Sequence, residues 1–344
     1  MEKLNRNVYA LLLAGGSGER LWPLSRRSKP KQFLEITDHR SLLEDTIDRI
    51  SPIIPIENRW VITTQQHADE VAVHVRSDVG LISVEPYSRN TGPAILLNSF
   101  AVRDIDPTAI IVVIPTDHYI PSKKTFIEFL SHAIDCAQQQ ERIVLLGARP
   151  TYPATGYGYI EYKKKDSFPY DVIKFHEKPH ESVAKKYVSN ESMLWNIGIS
   201  CAQVGVMIKE FEINASPLYD SVQNYWLHHQ PYDAAPSESI DYAVMEKSNN
   251  LCVLPVNFVW CDVGNLNTFL SLCEHQKKDA PHIISVDSHN NVVNTDQNVV
   301  AFIGIENICV VQTEDVLLIA KRDETEKVKQ VLEKLKRDHF DEYL

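Results

Sequence analysis

No run in the 344 residues is apolar for long enough to cross a bilayer. The one early candidate, YALLLA at 9–14, meets Gly15 and Gly16 at once and is too short for the apolar core of a secretion signal. Positive charge is also scarce: 35 Lys and Arg stand against 46 Asp and Glu, a net charge of −11. That argues against a broad nucleic-acid or anionic-membrane surface, which needs clustered cations. The six cysteines, Cys136, Cys201, Cys252, Cys261, Cys273 and Cys309, include no CxxC spacing. They read as reduced, mostly buried thiols of a cytoplasmic protein, not as a disulfide framework. Neither the GxxxxGK[ST] phosphate loop nor the GxGxxG dinucleotide fingerprint occurs, which disfavours a nicotinamide-dependent dehydrogenase.

The length suits about two domains. Apolar runs at 9–14, 59–63, 81–85, 109–115 and 142–147 are hydrophobic on both faces, as buried parallel strands are. Helical patterns lie between them: SLLEDTIDRI with Ser41 and Glu44 as a capping box, TGPAILLNSFAVRDI, and TFIEFLSHAIDCAQQQ. This alternation predicts an open α/β sheet with right-handed crossovers. YGYIEYK and YDVIKFHEK read as antiparallel additions, making the sheet mixed. CEHQKKDAPH at 273–282 is polar and marks a junction, so the expected domains are 1–275 and 283–344. In the second, HIISVD, NVVNT, NVVAFIG, NICVVQT and DVLLIAK are five short β segments between Asn, Asp and Gly turns, consistent with a short, left-handed β-helix. Val328, Val331, Leu332 and Leu335 then form one stripe of a terminal amphipathic helix.

Chemistry concentrates after the first strand, in GGSGERLWPLSRRSKPKQFL (15–34). Glycines let backbone N–H groups approach a phosphate closely, and Arg20 and Lys31 add fixed positive charge. A glycine turn after a strand is common by itself; the cations tip the reading to phosphate binding. Arg20, Arg26, Arg27, Lys29 and Lys31 fall within twelve residues, a local cationic cluster in an acidic chain. Asp117 follows a buried strand, where ligands of open α/β sheets bind, and suits either Mg²⁺ or the cap of the next helix. Asp262, in WCDVGN, suits a metal or a turn before Gly264. His118 reads as a supporting residue, since Mg²⁺ disfavours imidazole, and the remaining histidines read as surface residues.

The 15–34 loop resembles, without gaps, the signature loop of the bacterial mannose-1-phosphate guanylyltransferases, a family of sugar-nucleotide pyrophosphorylases. The resemblance extends over nearly the whole chain. It implies a Rossmann-like nucleotidyltransferase domain that converts GTP and mannose 1-phosphate to GDP-mannose and pyrophosphate with Mg²⁺. It further implies a short form without an isomerase domain, cytoplasmic and dimeric. By the same resemblance, Ala14, Gly15, Gly16, Ser17 and Gly18 wrap the nucleotide, with Asn90 and Thr91 beside the base. Arg20 and Lys31 hold its phosphates. Asp117 and Asp262 match the metal carboxylates. Gly158, Glu177 and Asn196 match the sugar contacts, and Lys178 the lysine that meets the sugar phosphate. Asp241 and Glu246, in SIDYAVMEK, match residues that order the sugar site from behind. Ile197, Ser200 and Leu266 depart from the family pattern on what it implies is the sugar side. Competing readings are the same chemistry on another sugar phosphate or nucleotide, and a non-catalytic sugar-nucleotide sensor.

Overall fold

The computed structural model describes residues 5–16, 18–37, 40–274 and 281–344. Ser17 and most of the expected junction, 275–280, lie outside these residues. The chain forms two compact units. The first comprises the chain up to Gly15 with Ile47–Thr116 and Ile120–Trp260; the second comprises Gly16–Thr46, Asp117–Tyr119 and Cys261–Leu344.

The first unit is built on one nine-stranded sheet. Its strands are β1 (Val8–Leu13), β2 (Arg59–Thr64), β3 (Leu81–Glu85), β4 (Ile110–Pro115), β5 (Ile143–Ala148), β6 (Tyr159–Lys163), β7 (Tyr170–His176), β8 (Met193–Gln203) and β9 (Leu251–Val256). Their order is β3-β2-β1-β4-β8-β5-β9-β7-β6, with β8 also pairing β6. The first four strands are mutually parallel, as their two-sided apolar runs predict. β8 enters antiparallel between β4 and β5, and β6 and β7 add an antiparallel edge, so the sheet is mixed. Helices α1 (Thr91–Ile105), α2 (Lys123–Gln139), α3 (Val204–Asn214) and α4 (Ser216–His228) accompany the sheet. Leu11, Phe100, Phe211 and Val253 lie in one buried core. His67 is also buried, with Nδ1 3.3 Å from Thr64 Oγ1, and is not the surface histidine expected from the sequence.

In the second unit the capping box forms as read: Ser41 N–H donates to Glu44 Oε2 and Glu44 N–H donates back to Ser41 Oγ. Helix α5 (Leu266–Cys273) follows the aspartate turn. Five strands come next: β10 (His282–Val286), β11 (Val292–Asn294), β12 (Val299–Ile303), β13 (Ile308–Gln312) and β14 (Leu317–Lys321). β10 lies parallel to β12 and β11 parallel to β13, both at an offset of 17 residues. β14 closes antiparallel on β13. Two stacked coils of a β-helix result. The left-handed backbone positions repeat at the same interval: Asp287 with Gly304 and Asn290 with Asn307. Those are residue types that tolerate positive φ. Helix α6 (Val328–Arg337) buries Val328 and Leu332 in a core shared with Leu21, Trp22, Phe269 and Cys309, while Val331 and Leu335 are half-buried against it.

Candidate active site

β1 ends at Leu13, and its extension is pinned on both sides. Ala14 N–H donates to the Ile62 carbonyl at 2.8 Å, and Thr116 Oγ1 donates to the Leu13 carbonyl. The N–H of Ala14 is therefore spent inside the sheet. Those of Gly15 and Gly16 donate to nothing among the described residues, both glycines are exposed, and a Cβ on either would meet open space. Of the expected nucleotide loop, these two offer free donors.

In the second unit, Gly18 has φ +66, and a Cβ there would lie 2.5 Å from the Lys31 Cβ. Both facts demand glycine, and the close approach lets Lys31 pack against the loop. Lys31 is only 9% exposed. Its ammonium donates to Asp117 Oδ2 at 2.9 Å and to the main-chain carbonyl of Asp262. Burial raises the Asp117 pKa, but Lys31 and His118 outweigh it and hold the carboxyl below its ordinary value. Asp262 does not sit at the end of β9, as a strand-end aspartate would. It follows a bridge between Cys261 and Tyr119. Its Oδ1 accepts from Gly264 N–H at 3.1 Å, so the turn reading is also true. Val263 between them has φ +50, an uncommon conformation for a β-branched residue.

Arg20 lies exposed in the turn Glu19–Leu21, with no hydrogen bond or ion pair among the described residues. Arg26 and Arg27 behave differently. Arg26 is taken up by Asp315, Thr313 and the Tyr343 carbonyl, and Arg27 pairs with Asp341 at 3.8 Å. The five-cation cluster read from the sequence therefore divides. Arg20 and Lys29 are exposed, Lys31 is seated on Asp117, and Arg26 and Arg27 serve the structure.

In the first unit a second group assembles around Glu177, whose side chain is 3% exposed. Gly158 is required beneath it, since a Cβ there would lie 2.7 Å from Glu177 Oε2. Lys178 pairs with Glu177 and has φ +43. Burial pushes the Lys178 ammonium down, yet Glu177 and Asp241 hold its pKa above the ordinary value. Asn196 sits where β8 bulges: its Nδ2 donates to Asp241 Oδ1 at 3.0 Å and its Oδ1 accepts from Gly198 N–H. Burial, reinforced by Glu177, pushes Asp241 up to about 6. Glu246 accepts from Glu177 N–H at 2.8 Å. Asp241 and Glu246 bracket a π-helical turn, Asp241–Met245.

Asn90 and Thr91 stand at the start of α1, and Thr91 Oγ1 accepts from Ile240 N–H. Two residues not singled out by sequence reasoning lie nearby. Glu85, 6% exposed at the end of β3, accepts from Tyr232 hydroxyl at 2.9 Å, and burial lifts its pKa to about 7. The only sequence signal was an acid closing an apolar strand. The departures from the family pattern are buried positions: Ile197 and Leu266 are fully buried and Ser200 is 4% exposed. Leu266 belongs to the core of the second unit, not to the group around Glu177.

A family profile described as Nucleotidyl transferase matches residues 9–279, and one described as MannoseP isomerase/GMP-like beta-helix domain matches 282–335. The chain is 34% identical to "Mannose-1-phosphate guanylyltransferase 2" of Escherichia coli O157:H7, over 98% of this chain and 75% of that protein. It is also 34% identical to "Mannose-1-phosphate guanylyltransferase" of Salmonella muenchen, with the same coverage. Among solved structures, one from Thermus thermophilus described as mannose-1-phosphate geranyltransferase superposes with a TM-score of 0.85. It is 30% identical, over 96% of this chain and 99% of that one.

Proposed function

The chain belongs to the nucleotidyl transferase family, and on that premise we propose how it works. It transfers the guanylyl group of GTP to mannose 1-phosphate. A phosphate oxygen of mannose 1-phosphate forms a bond to the α-phosphorus of GTP. The bond from that phosphorus to the β-phosphate bridging oxygen breaks, and GDP-mannose and pyrophosphate result. The nucleophile is already an anion, so no side-chain nucleophile or covalent intermediate is needed. Catalysis is positioning and charge stabilisation. The observation that carries the reading is near full-length likeness to relatives of that name, in a chain whose Lys31 is buried on Asp117.

The residue roles follow from the chemistry. Gly15 and Gly16 offer N–H groups to the nucleotide phosphates, next to Ala14, whose own N–H is held by the Ile62 carbonyl. Arg20 and Lys31 stabilise the leaving pyrophosphate. Asn90 and Thr91 serve the base. Glu177 and Asn196, with Gly158 making room, bind sugar hydroxyls, and Lys178 offsets repulsion between the two polyanionic substrates. The proposed cofactor is Mg²⁺ on Asp117 and Asp262. The donor set fits: both are oxygen ligands, and Asp117 already carries a cation, the Lys31 ammonium. No group of three or more His, Cys, Asp or Glu side chains is arranged to hold a metal ion by itself among the described residues. Two carboxylates with substrate phosphates completing the shell is the pattern Mg²⁺ favours. When bound, the ion neutralises phosphate charge.

No helix among the described residues is long and apolar enough to cross a membrane. With six free cysteines, the proposed location is the cytoplasm. The proposed assembly is a homodimer. It draws on the β-helix, where Ile284, Val286, Val299 and Ile303 are 45%, 49%, 54% and 71% exposed. A panel of nucleoside triphosphates and sugar 1-phosphates, read by pyrophosphate release, tests the reaction. The GTP and mannose 1-phosphate pair should give the highest kcat/KM, and a chelator should stop it. A higher value for another pair would overturn the substrate assignment, and turnover in chelator the metal.

A further inference from the structure

Within the signature loop, residues 18–31 are tied to residues 340–344. The Tyr343 carbonyl accepts from the Trp22 indole N–H at 2.6 Å and also from the Arg26 guanidinium. Arg27 N–H donates to the main-chain oxygen of Leu344 at 3.3 Å. The Leu344 side chain is buried, in the same core as Trp22 and Leu332. Lys336 reaches back to Glu19 at 3.3 Å. The segment is held in turn by Phe340 N–H, which donates to the Leu335 carbonyl of α6.

Inside the loop, Ser25 Oγ donates to the Gly18 carbonyl at 2.7 Å, and Arg26 Nε donates to the Pro23 carbonyl. The turn that carries Arg20 is thus closed between Gly18, pressed on Lys31, and Trp22, tied to Tyr343. Three loop side chains, Trp22, Arg26 and Arg27, engage the segment. Arg26 also reaches Asp315 at 2.8 Å, in the turn between β13 and β14.

We propose that residues 340–344 are a positioning strap for the nucleotide loop, holding Arg20 and Lys31 in place through Trp22 and Arg26. The inference deepens the proposed function and rests on its reading of Arg20 and Lys31 as nucleotide-phosphate contacts. It gives the β-helix and α6 a catalytic consequence without a catalytic residue of their own. The strap acts on the nucleotide half of the reaction and leaves mannose 1-phosphate binding alone.

The test uses the full chain with Leu344→Asp, which puts a charge in the buried pocket, and Trp22→Phe, which removes the indole donor together with some buried volume while keeping an aromatic ring. Thermal midpoint and KM for each substrate are measured for both. The expected result is a fall of about ten- to a hundredfold in kcat/KM for GTP, the usual cost of roughly 1 Å of misplacement. KM for mannose 1-phosphate stays within about twofold of the unaltered chain. Amide hydrogen exchange across 18–31 should quicken. Losses that track the folded fraction equally for both substrates would overturn the strap, as would unchanged GTP kinetics in both variants. Arg20→Ala separates the two layers. If it leaves GTP kinetics unchanged, the loop assignment fails and the strap with it. If it damages them while Leu344→Asp does not, only the strap fails. In an Arg20→Ala background the effect of Leu344→Asp should shrink, because the share of it that acts through Arg20 is already lost and only the share through Lys31 remains.

Discussion

Glu85 closes β3 with its carboxyl 6% exposed and its pKa lifted by burial from 4.5 to about 7. The native state then holds a proton that the unfolded chain releases near 4.5. Stability from this group is full below that value and is lost as pH rises from about 4.5 to 7. At 1.36 kcal/mol per unit the loss is roughly 3 kcal/mol. Glu85→Gln cannot ionise and can still accept from the Tyr232 hydroxyl. Its melting temperature should exceed that of the unaltered chain at pH 8 and match it at pH 5, read by scanning calorimetry. An unchanged difference between the two pH values would reject the assignment. Arg20 offers the opposite case, an exposed charge whose proposed task lies in the reaction. Arg20→Ala should leave melting within about 0.5 kcal/mol, as exposed substitutions do. Its kcat should fall by about two to three orders of magnitude, as removal of a preorganised charge contact does. Arg20 and Lys31 could be singled out from sequence as candidates because their motif is contiguous. Glu85 was not, because its partner Tyr232 lies 147 residues away and only burial gives the acid its character.

At the scale of elements, the alternation of apolar runs located β1 to β5 to within a residue, since two-sided burial leaves little freedom, but the central β8 (Met193–Gln203) was not read as a strand. The β-helix was legible as five segments but not as coils. Its 17-residue repeat lives in backbone conformation: Asp287 and Gly304 share a left-handed φ with no shared side chain. That predicts a contrast between two glycines that both have open space at the Cβ position. Gly304 has φ +66, so Gly304→Ala meets backbone strain alone and should cost about 1 kcal/mol. Gly205, in α3, carries no such φ, so Gly205→Ala should add about 0.5 kcal/mol of stability. Urea melts of both variants decide the point. Equal effects of one sign would mean that backbone conformation does not hold the coils. In the segment Gly16–Thr46 the capping box was legible but the remote partners were not: Trp22 meets Tyr343 across 321 positions, a pairing that no local pattern encodes.

For the whole molecule, the net charge of −11 excluded a broad anionic partner but left polyanionic substrates to be explained. The structure narrows the cationic cluster instead of using all of it, since Arg26 and Arg27 are occupied by acids and main-chain oxygens. The same charge bears on assembly. Two copies that each carry −11 repel, so an attractive surface between them must be apolar. The β10 and β12 pair supplies one: Ile284, Val286, Val299 and Ile303 share a face and are each at least 45% exposed. Repulsion between exposed charges is screened by salt, whereas apolar burial is not weakened by it. The proposed dimer should therefore tighten as ionic strength rises, against the habit of charge-driven pairs. Sedimentation across a dilution series should give twice the 39.2 kDa chain mass at high salt and a larger dissociation constant at low salt. Ile284→Lys with Ile303→Lys should yield single chains at either salt while melting normally, because both side chains face solvent in one chain. A variant pair that still sediments as dimers would move the interface elsewhere. A dimer that loosens with added salt would show that charge, not the apolar strands, holds it.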